Sequence, residues 1–243
     1  IEDRTRTFII AMERTVVPEN FSFRMTDEEY RVLEKIKNSI PVCYLADHAD
    51  FALGIVTGNN KKFLSAEKTE HSEMVLKGTD ICKYHINPAK QYLRFEPEQF
   101  QQVAPLEIYR APEKLLYRFI SNQLVVAYDD RQMLSLNSCN IVIPKIEGMQ
   151  IKYILAILNS SVSQFVYQKE FHSIKVLRAH MEHIPIPRVG KAIQNEIIAM
   201  TEPLICGMGK EAAETCQKRL DCRIMDLFRL SAEEQWIIRH ALH

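Results

Sequence analysis

Ile184-Pro185-Ile186-Pro187-Arg188-Val189-Gly190 is the stretch on which the fold turns. Proline fixes φ, lacks an amide donor and pushes the residue before it toward extended backbone, so this segment cannot be helical throughout and marks a boundary. Upstream of it, from about residue 41 to 148, short apolar runs alternate with turn residues, which is the pattern of a strand-rich unit. Downstream of Gly190 the apolar residues recur every three or four positions, as on one face of a helix. The chain therefore reads as α+β. A strand and linking helix occupy 1–40, a twisted mixed β-sheet recognition unit occupies 41–190, and a helical C-terminal extension occupies 191–243.

Individual elements follow from local chemistry. A β-type run covers 7–12, and Val16-Val17-Pro18 follows it. Thr26-Asp27-Glu28-Glu29 has the form of a capping box and opens a helix with Tyr30, Leu33 and Ile36 on one face. Strand candidates are 75–81, 91–95, 124–128 and 140–144, while Pro112 and the apolar positions Leu115, Leu116, Phe119 and Ile120 predict a helix between them. One long helix is expected from Ile151 to about Tyr167. After Gly190, Ile193, Ile197, Ile198 and Leu204 share a face up to a kink or end at Pro203. A helix over 210–228 and a last one opened by the capping box Ser231-Ala232-Glu233-Glu234 complete the chain.

Composition narrows the function classes. The 243 residues are 47% apolar and 26% charged, enough for a sizeable core, and 31 Lys and Arg balance 31 Asp and Glu. The global basic excess of many nucleic-acid binders is absent, so any such binding needs a local patch. One exists in 168–191, where Lys169, Lys175, Arg178, Arg188 and Lys191 face only Glu170 and Glu182, with His172, His180 and His183 interspersed. The six cysteines have no C-x-x-C spacing and read as reduced thiols of a cytoplasmic protein. His180 and His183 lack partners at zinc spacing, and no apolar run approaches the length of a membrane span. The start at Ile1 points to a piece of a longer polypeptide.

Catalytic signatures are missing: there is no P-loop, no G-x-G-x-x-G and no nucleophile elbow. Asn87-Pro88-Ala89-Lys90 lacks the second proline and the aromatic of the amino-methyltransferase motif, and Asp129-Asp130 sits in a turn-forming stretch that reads as a hairpin tip, not a metal pair. The chain is expected to bind and not to catalyse. Three polar loops could supply contacts. Gly54-Ile-Val-Thr-Gly-Asn-Asn-Lys-Lys-Phe63 offers Thr57, Asn59, Asn60, Lys61 and Lys62 beyond a tight turn at Gly58. Residues 131–138 offer Arg131, Gln132, Ser135, Asn137 and Ser138, and residues 169–178 offer Lys169, His172, Ser173, Lys175 and Arg178. Asn pairs with adenine edges, whereas Lys and Arg suit phosphates and guanine. Lys61, Lys62, Lys175 and Arg178 are expected on one side of the fold, away from Asp27, Glu28 and Glu29.

The succession of the glycine loop, Gly78-Thr79-Asp80-Ile81 with Tyr84, Pro112-Glu113-Lys114-Leu115-Leu116, residues 153–161 and Ile184-Pro185-Ile186-Pro187 resembles the TaqI-like C-terminal specificity domain. The ending Asp226-Leu227-Phe228-Arg229-Leu230 with its capping box is similar to the helical tails of such enzymes, so the resemblance covers roughly 22–238. This is the target recognition domain of adenine-N6 DNA methyltransferases and type IIG restriction–modification enzymes. It implies double-stranded DNA as partner, a methyltransferase domain on the same polypeptide, and S-adenosylmethionine bound there, with no cofactor, metal or catalytic residue in this fragment. It also implies that Asn159-Ser160-Ser161 lies in a core helix. Two other roles compete: a specificity subunit acting in trans, and a protein-interaction module docking a partner through the strip Ile193, Ile197 and Ile198.

Overall fold

Alternation along three strands explains the centre of the structure. In β6 (Lys114–Arg118) Leu115 and Tyr117 enter one core while Leu116 enters another. In β7 (Val126–Asp129) Val126 and Tyr128 go one way and Ala127 the other, and in β9 (Cys139–Pro144) Val142 opposes Cys139 and Ile141. Successive side chains of a strand point to opposite faces, so this sheet is buried on both. With β2 (Ala49–Ala52) it forms an antiparallel sheet in the order β2-β9-β6-β7. The register places Arg118 opposite Cys139 and Ala52 opposite Ile141 at one end, with Lys114 opposite Asp129 and Ala49 opposite Pro144 at the other.

A computed structural model describes residues 25–171 and 173–242. The β-type runs expected over 7–18 lie outside them. Helix α1 (Asp27–Asn38) carries the expected capping box, with Glu29 N–H donating to Thr26 Oγ1 at 3.1 Å and Thr26 N–H to Glu29 Oε2 at 2.9 Å. A second sheet covers the far face of the first. It has the order β3-β5-β4-β8, built from β3 (Leu64–Ser65), β4 (Glu73–Leu76), β5 (Tyr92–Leu93) and β8 (Leu134–Ser135). Its β4–β8 pair is parallel and the others antiparallel, so the sheet is mixed. The small pair β1 (Val42–Cys43) and β10 (Ile186–Pro187) closes the unit, and here the Ile-Pro repeat runs extended.

The near face of the central sheet carries the helices. These are α4 (Ile151–Asn159), α5 (Ser161–Glu170), α7 (Lys191–Ile205), α8 (Lys210–Leu227) and α9 (Ala232–Ala241). Together with α1 they share one core with the sheet, including Tyr153, Phe165, Ile197, Ile224 and Phe228. Burying each such side chain contributes about 1.5–3 kcal/mol. Short helices α2 (Asn60–Phe63), α3 (Leu106–Tyr109) and α6 (Arg178–Glu182) sit in the connections. The fold is α+β. Among the described residues no helix is long and apolar enough to cross a membrane.

Three expectations need correction. The helix around Leu115 and Leu116 is strand β6, because a strand buried on both faces has a continuous apolar run that mimics a buried helix. The single helix over 151–167 is two, and Asn159-Ser160-Ser161 is their junction, not part of a continuous helix. Ser160 leaves helical geometry (ψ 159°), and its Oγ accepts the Ser163 N–H at 3.2 Å as the N-cap of α5. Residues 128–132 form a turn but not a hairpin, since β8 pairs with β4 and not with β7.

That junction also ties layers together. Asn159 Nδ2 donates to Val126 O at 2.8 Å and its Oδ1 accepts Val126 N–H at 3.1 Å, gripping both backbone groups of a sheet residue. Ser161 donates its N–H and hydroxyl to the Asp221 carboxylate of α8 at 2.8 and 2.7 Å. Lys83 Nζ reaches Asn159 O at 3.1 Å, with its pKa lowered by burial against the opposing pull of Asp221.

Candidate nucleic-acid interface

The chain crosses one end of the central sheet repeatedly, and backbone hydrogen bonds there join segments of the three polar loops singled out above. Gly54 follows β2 and passes so close to the 136–139 segment that a Cβ on it would lie 2.1 Å from Leu136 O and 2.7 Å from Cys139 O. Only glycine fits this approach. It lets Ile55 N–H reach Ser135 O at 2.7 Å and Asn137 N–H reach Ile55 O at 3.1 Å, which brings the first and second loops together. The third joins through residues 119–121. Phe119 N–H donates to Ser138 O at 3.0 Å, Val176 N–H to Phe119 O at 2.8 Å, and Ser121 N–H to Ile174 O at 2.9 Å.

Side chains within these loops have different duties. Gly58 takes the positive φ (76°) expected of the tight turn, and Asn59 then caps α2 by accepting Lys62 N–H at 3.2 Å. Thr57 is buried and donates its hydroxyl to Asn60 Oδ1 at 2.6 Å, so it orders the loop instead of facing outward. Lys61 and Lys62 are exposed, with Lys62 Nζ 4.5 Å from the Phe63 ring centroid. Asn137 is exposed, and Lys175 lies exposed beside the Phe119 ring at 5.9 Å. Arg178 is held over the Phe51 ring at 5.2 Å and bonds Glu182 at 2.7 Å, which raises its pKa. His180, on the same short helix, accepts Leu177 N–H at 3.2 Å and stacks on Phe171; burial lowers its pKa.

Several candidates sit elsewhere. Arg131 is at the opposite end of β7, its N–H held by Asp129 Oδ1 at 2.9 Å, in a depression with His85, Asn87 and Cys206. The strand between it and Asn137 carries the chain across the sheet, which separates two residues only six apart in sequence. Ser135 is buried in β8, and Lys169 is bound to Glu29 at 2.6 Å on the helical side, near Asp27 and Glu28. His172 lies outside the described residues. Asp129 is not a solvated tip. It is fully buried, pairs with the equally buried Lys114 at 2.5 Å, and closes the turn by also accepting Met133 N–H at 3.0 Å. Desolvation lowers the Lys114 pKa while Asp129 opposes that shift.

A groove of about 680 Å³ runs along the β2 edge beside these loops. Phe51, Leu53, Gln102, Ala104, Tyr117 and Arg178 line it. Burial pushes the Tyr117 phenol up to about 12, so it stays protonated. Gln102 and Leu53 were not singled out from sequence, because a lone Gln or Leu between loops carries no motif. The antiparallel bridge of Gln102 to Val56 is visible only in three dimensions.

Compared with known protein families, residues 73–186 match the TaqI-like C-terminal specificity domain. This is the match that the succession of motifs led us to expect. The matched stretch runs from β4 to β10 and contains the 119–121, 136–138 and 173–178 segments, while the Gly54 loop precedes it. Among solved structures, one similar chain comes from a study of complex assembly and conformational transition in a type I restriction–modification system. It has 13% identity and a TM-score of 0.47, with 88% of this chain and 51% of that one covered. Another is the type IIL restriction-modification enzyme MmeI in complex with DNA, at 10% identity and a TM-score of 0.48, covering 81% of this chain and 35% of that one. A third is the HsdS subunit from Thermoanaerobacter tengcongensis, at 14% identity and a TM-score of 0.43, covering 88% and 50%. The chain spans about a third to a half of the length of these proteins. No curated protein sequence matches it.

Proposed function

We propose that the chain is the sequence-specific DNA target recognition module of a restriction–modification enzyme. The observation that carries this reading is the gathering of three loops, two of them within the specificity domain, at one end of a sheet packed on both faces. Sequence readout needs side chains on rigid supports, with cations to fix register on phosphates. Lys61, Lys62, Lys175 and Arg178 supply exposed cations on these loops, and Asn60 and Asn137 supply amides. With no net charge over the chain, its affinity for DNA alone is modest, and the parent protein contributes further phosphate contacts.

In this reading the parent is a cytoplasmic type II enzyme. An adenine-N6 methyltransferase domain on the same polypeptide binds S-adenosylmethionine and performs the chemistry. This chain has no glycine-rich cofactor loop, so we assign it no cofactor contact and no catalytic step. The competing interaction role for Ile193, Ile197 and Ile198 has less support. Ile197 is fully buried and Ile198 packs on the chain's own core.

The test is a pair of titrations on a duplex selected from a random pool and on a scrambled duplex, at two salt concentrations. Lys62→Ala or Lys175→Ala should weaken both about equally and lower the salt slope by about one for each phosphate that is no longer neutralised. Asn137→Ala should cost about 1–3 kcal/mol on the selected duplex only. Variants that bind both duplexes like the parent would remove the loops from the reading surface.

A further inference from the structure

The groove beside β2 is built more rigidly than its surface position requires. Gln102 is clamped to Val56 by two backbone bonds, Val56 N–H to Gln102 O at 2.9 Å and Gln102 N–H to Val56 O at 3.1 Å. Extended backbone alternates its side chains. Gln101 accordingly lies against Gly58, while Gln102 faces the groove, exposed and with its side-chain amide unpaired among the described residues. The opposite wall is held by one buried hydroxyl. Tyr109 Oη accepts Ala104 N–H at 3.2 Å and donates to Leu53 O at 3.2 Å, which fixes Leu53 and Ala104 side by side. Leu53 is 43% exposed despite its size. The groove thus presents one unpaired amide next to a fixed apolar wall. The charged groups on its rim are already engaged, Asp50 by Lys145 at 2.6 Å and Arg178 by Glu182.

An amide carries a donor and an acceptor side by side, which matches adenine N6–H and N7. Guanine offers two acceptors and calls for Arg or Lys, and the methyl of thymine calls for an apolar contact. We propose that this groove reads one A·T base pair in the major groove, with Gln102 bonding the adenine edge and Leu53 and Ala104 meeting the thymine methyl. The inference rests on the DNA-recognition reading and adds the identity of one base pair and the residues that select it.

The experiment selects preferred duplexes from a random pool with the full-length protein and its Gln102→Leu and Gln102→Glu variants, each first checked for an unchanged thermal midpoint. The parent motif should contain an A·T position that Gln102→Leu alone relaxes, with about five-fold to 150-fold loss of discrimination there. Gln102→Glu should move that position toward C·G, since a carboxylate accepts from cytosine N4. Replacing the thymine by uracil, which lacks the methyl, should weaken parent binding about four-fold, and Leu53→Ala should reduce that difference, leaving only the Ala104 contact. If the selected motif is the same in all three proteins, or uracil binds like thymine, the groove does not read this pair, while DNA recognition by the loops stands. If the parent selects no motif, both fall.

Discussion

The buried pair Lys114–Asp129 gives a sharp test of how the sheet is held. Both side chains have zero exposure, and the ammonium meets the Asp129 carboxylate at 2.5 Å and Tyr109 O at 2.6 Å. Asp129 also accepts two backbone N–H groups, from Arg131 and Met133. In Asp129→Ala an uncompensated ammonium stays in the core, a loss of about 3–5 kcal/mol. Two orphaned N–H groups add to that, at about 1–3 kcal/mol for a buried group left without its partner. The total is bounded by non-additivity near 4–6 kcal/mol, and at about 2–4 °C per kcal/mol the thermal midpoint should fall by roughly 8–24 °C. Lys114→Met should cost less, because the carboxylate keeps both N–H donors. The double variant Lys114→Met with Asp129→Asn should be more stable than the sum of its single changes by about 2 kcal/mol or more. Guanidinium denaturation followed by far-UV circular dichroism and by the fluorescence of the single tryptophan, Trp236, measures all of these. An Asp129→Ala variant within about 1 kcal/mol of the parent, or strictly additive changes, would refute the reasoning.

Other expectations follow from positions already described. Gly54→Ala places a methyl on two carbonyl groups and should separate the first loop from the second; loss of amide-exchange protection at Ile55 and Asn137, with at least ~2 kcal/mol of destabilisation, is the expected result. His180 accepts an N–H only while neutral, and burial holds its pKa below the usual 6.5. The unfolded chain therefore takes the proton first as pH falls. The stabilisation present above about 6.5 is lost as pH drops through the folded value, so the parent's melting temperature should fall more steeply from pH 7 to 5 than that of His180→Gln. Arg131→Ala, at the far end of the sheet, should leave the affinity and salt slope for DNA unchanged by filter binding; a weakening like that of Lys62→Ala would contradict its placement.

What was legible in the sequence was whatever short-range chemistry controls. The capping boxes at Thr26 and Ser231, the turn at Gly58 and the extended Ile-Pro repeat are each set by residues within four positions of one another. Elements decided by burial were harder to see. Leu115-Leu116 reads the same in a buried helix and in a strand covered on both faces, and only the second sheet settles which it is. Ser160 breaks a run whose apolar spacing continues unbroken across it. The loops failed in a third way. Arg131 and Asn137 are neighbours in sequence but are carried to opposite ends of the sheet, whereas Gln102 is far from Val56 in sequence and bonded to it in space. A contact surface assembled from pieces distant along the chain leaves no periodic trace in any one of them.

The grip of Asn159 on Val126 and of Ser161 on Asp221 has a metrical consequence. Two residues separated by one position, Asn159 and Ser161, are pinned to the edge of the loop-bearing sheet and to α8 respectively. The distance from Val126 at the sheet edge to Asp221 in α8 is therefore set by hydrogen bonds and not by a tether. Such a joint works as a ruler. Asn159→Ala or Ser161→Ala would remove one end of that measure and let the sheet edge and α8 shift against each other.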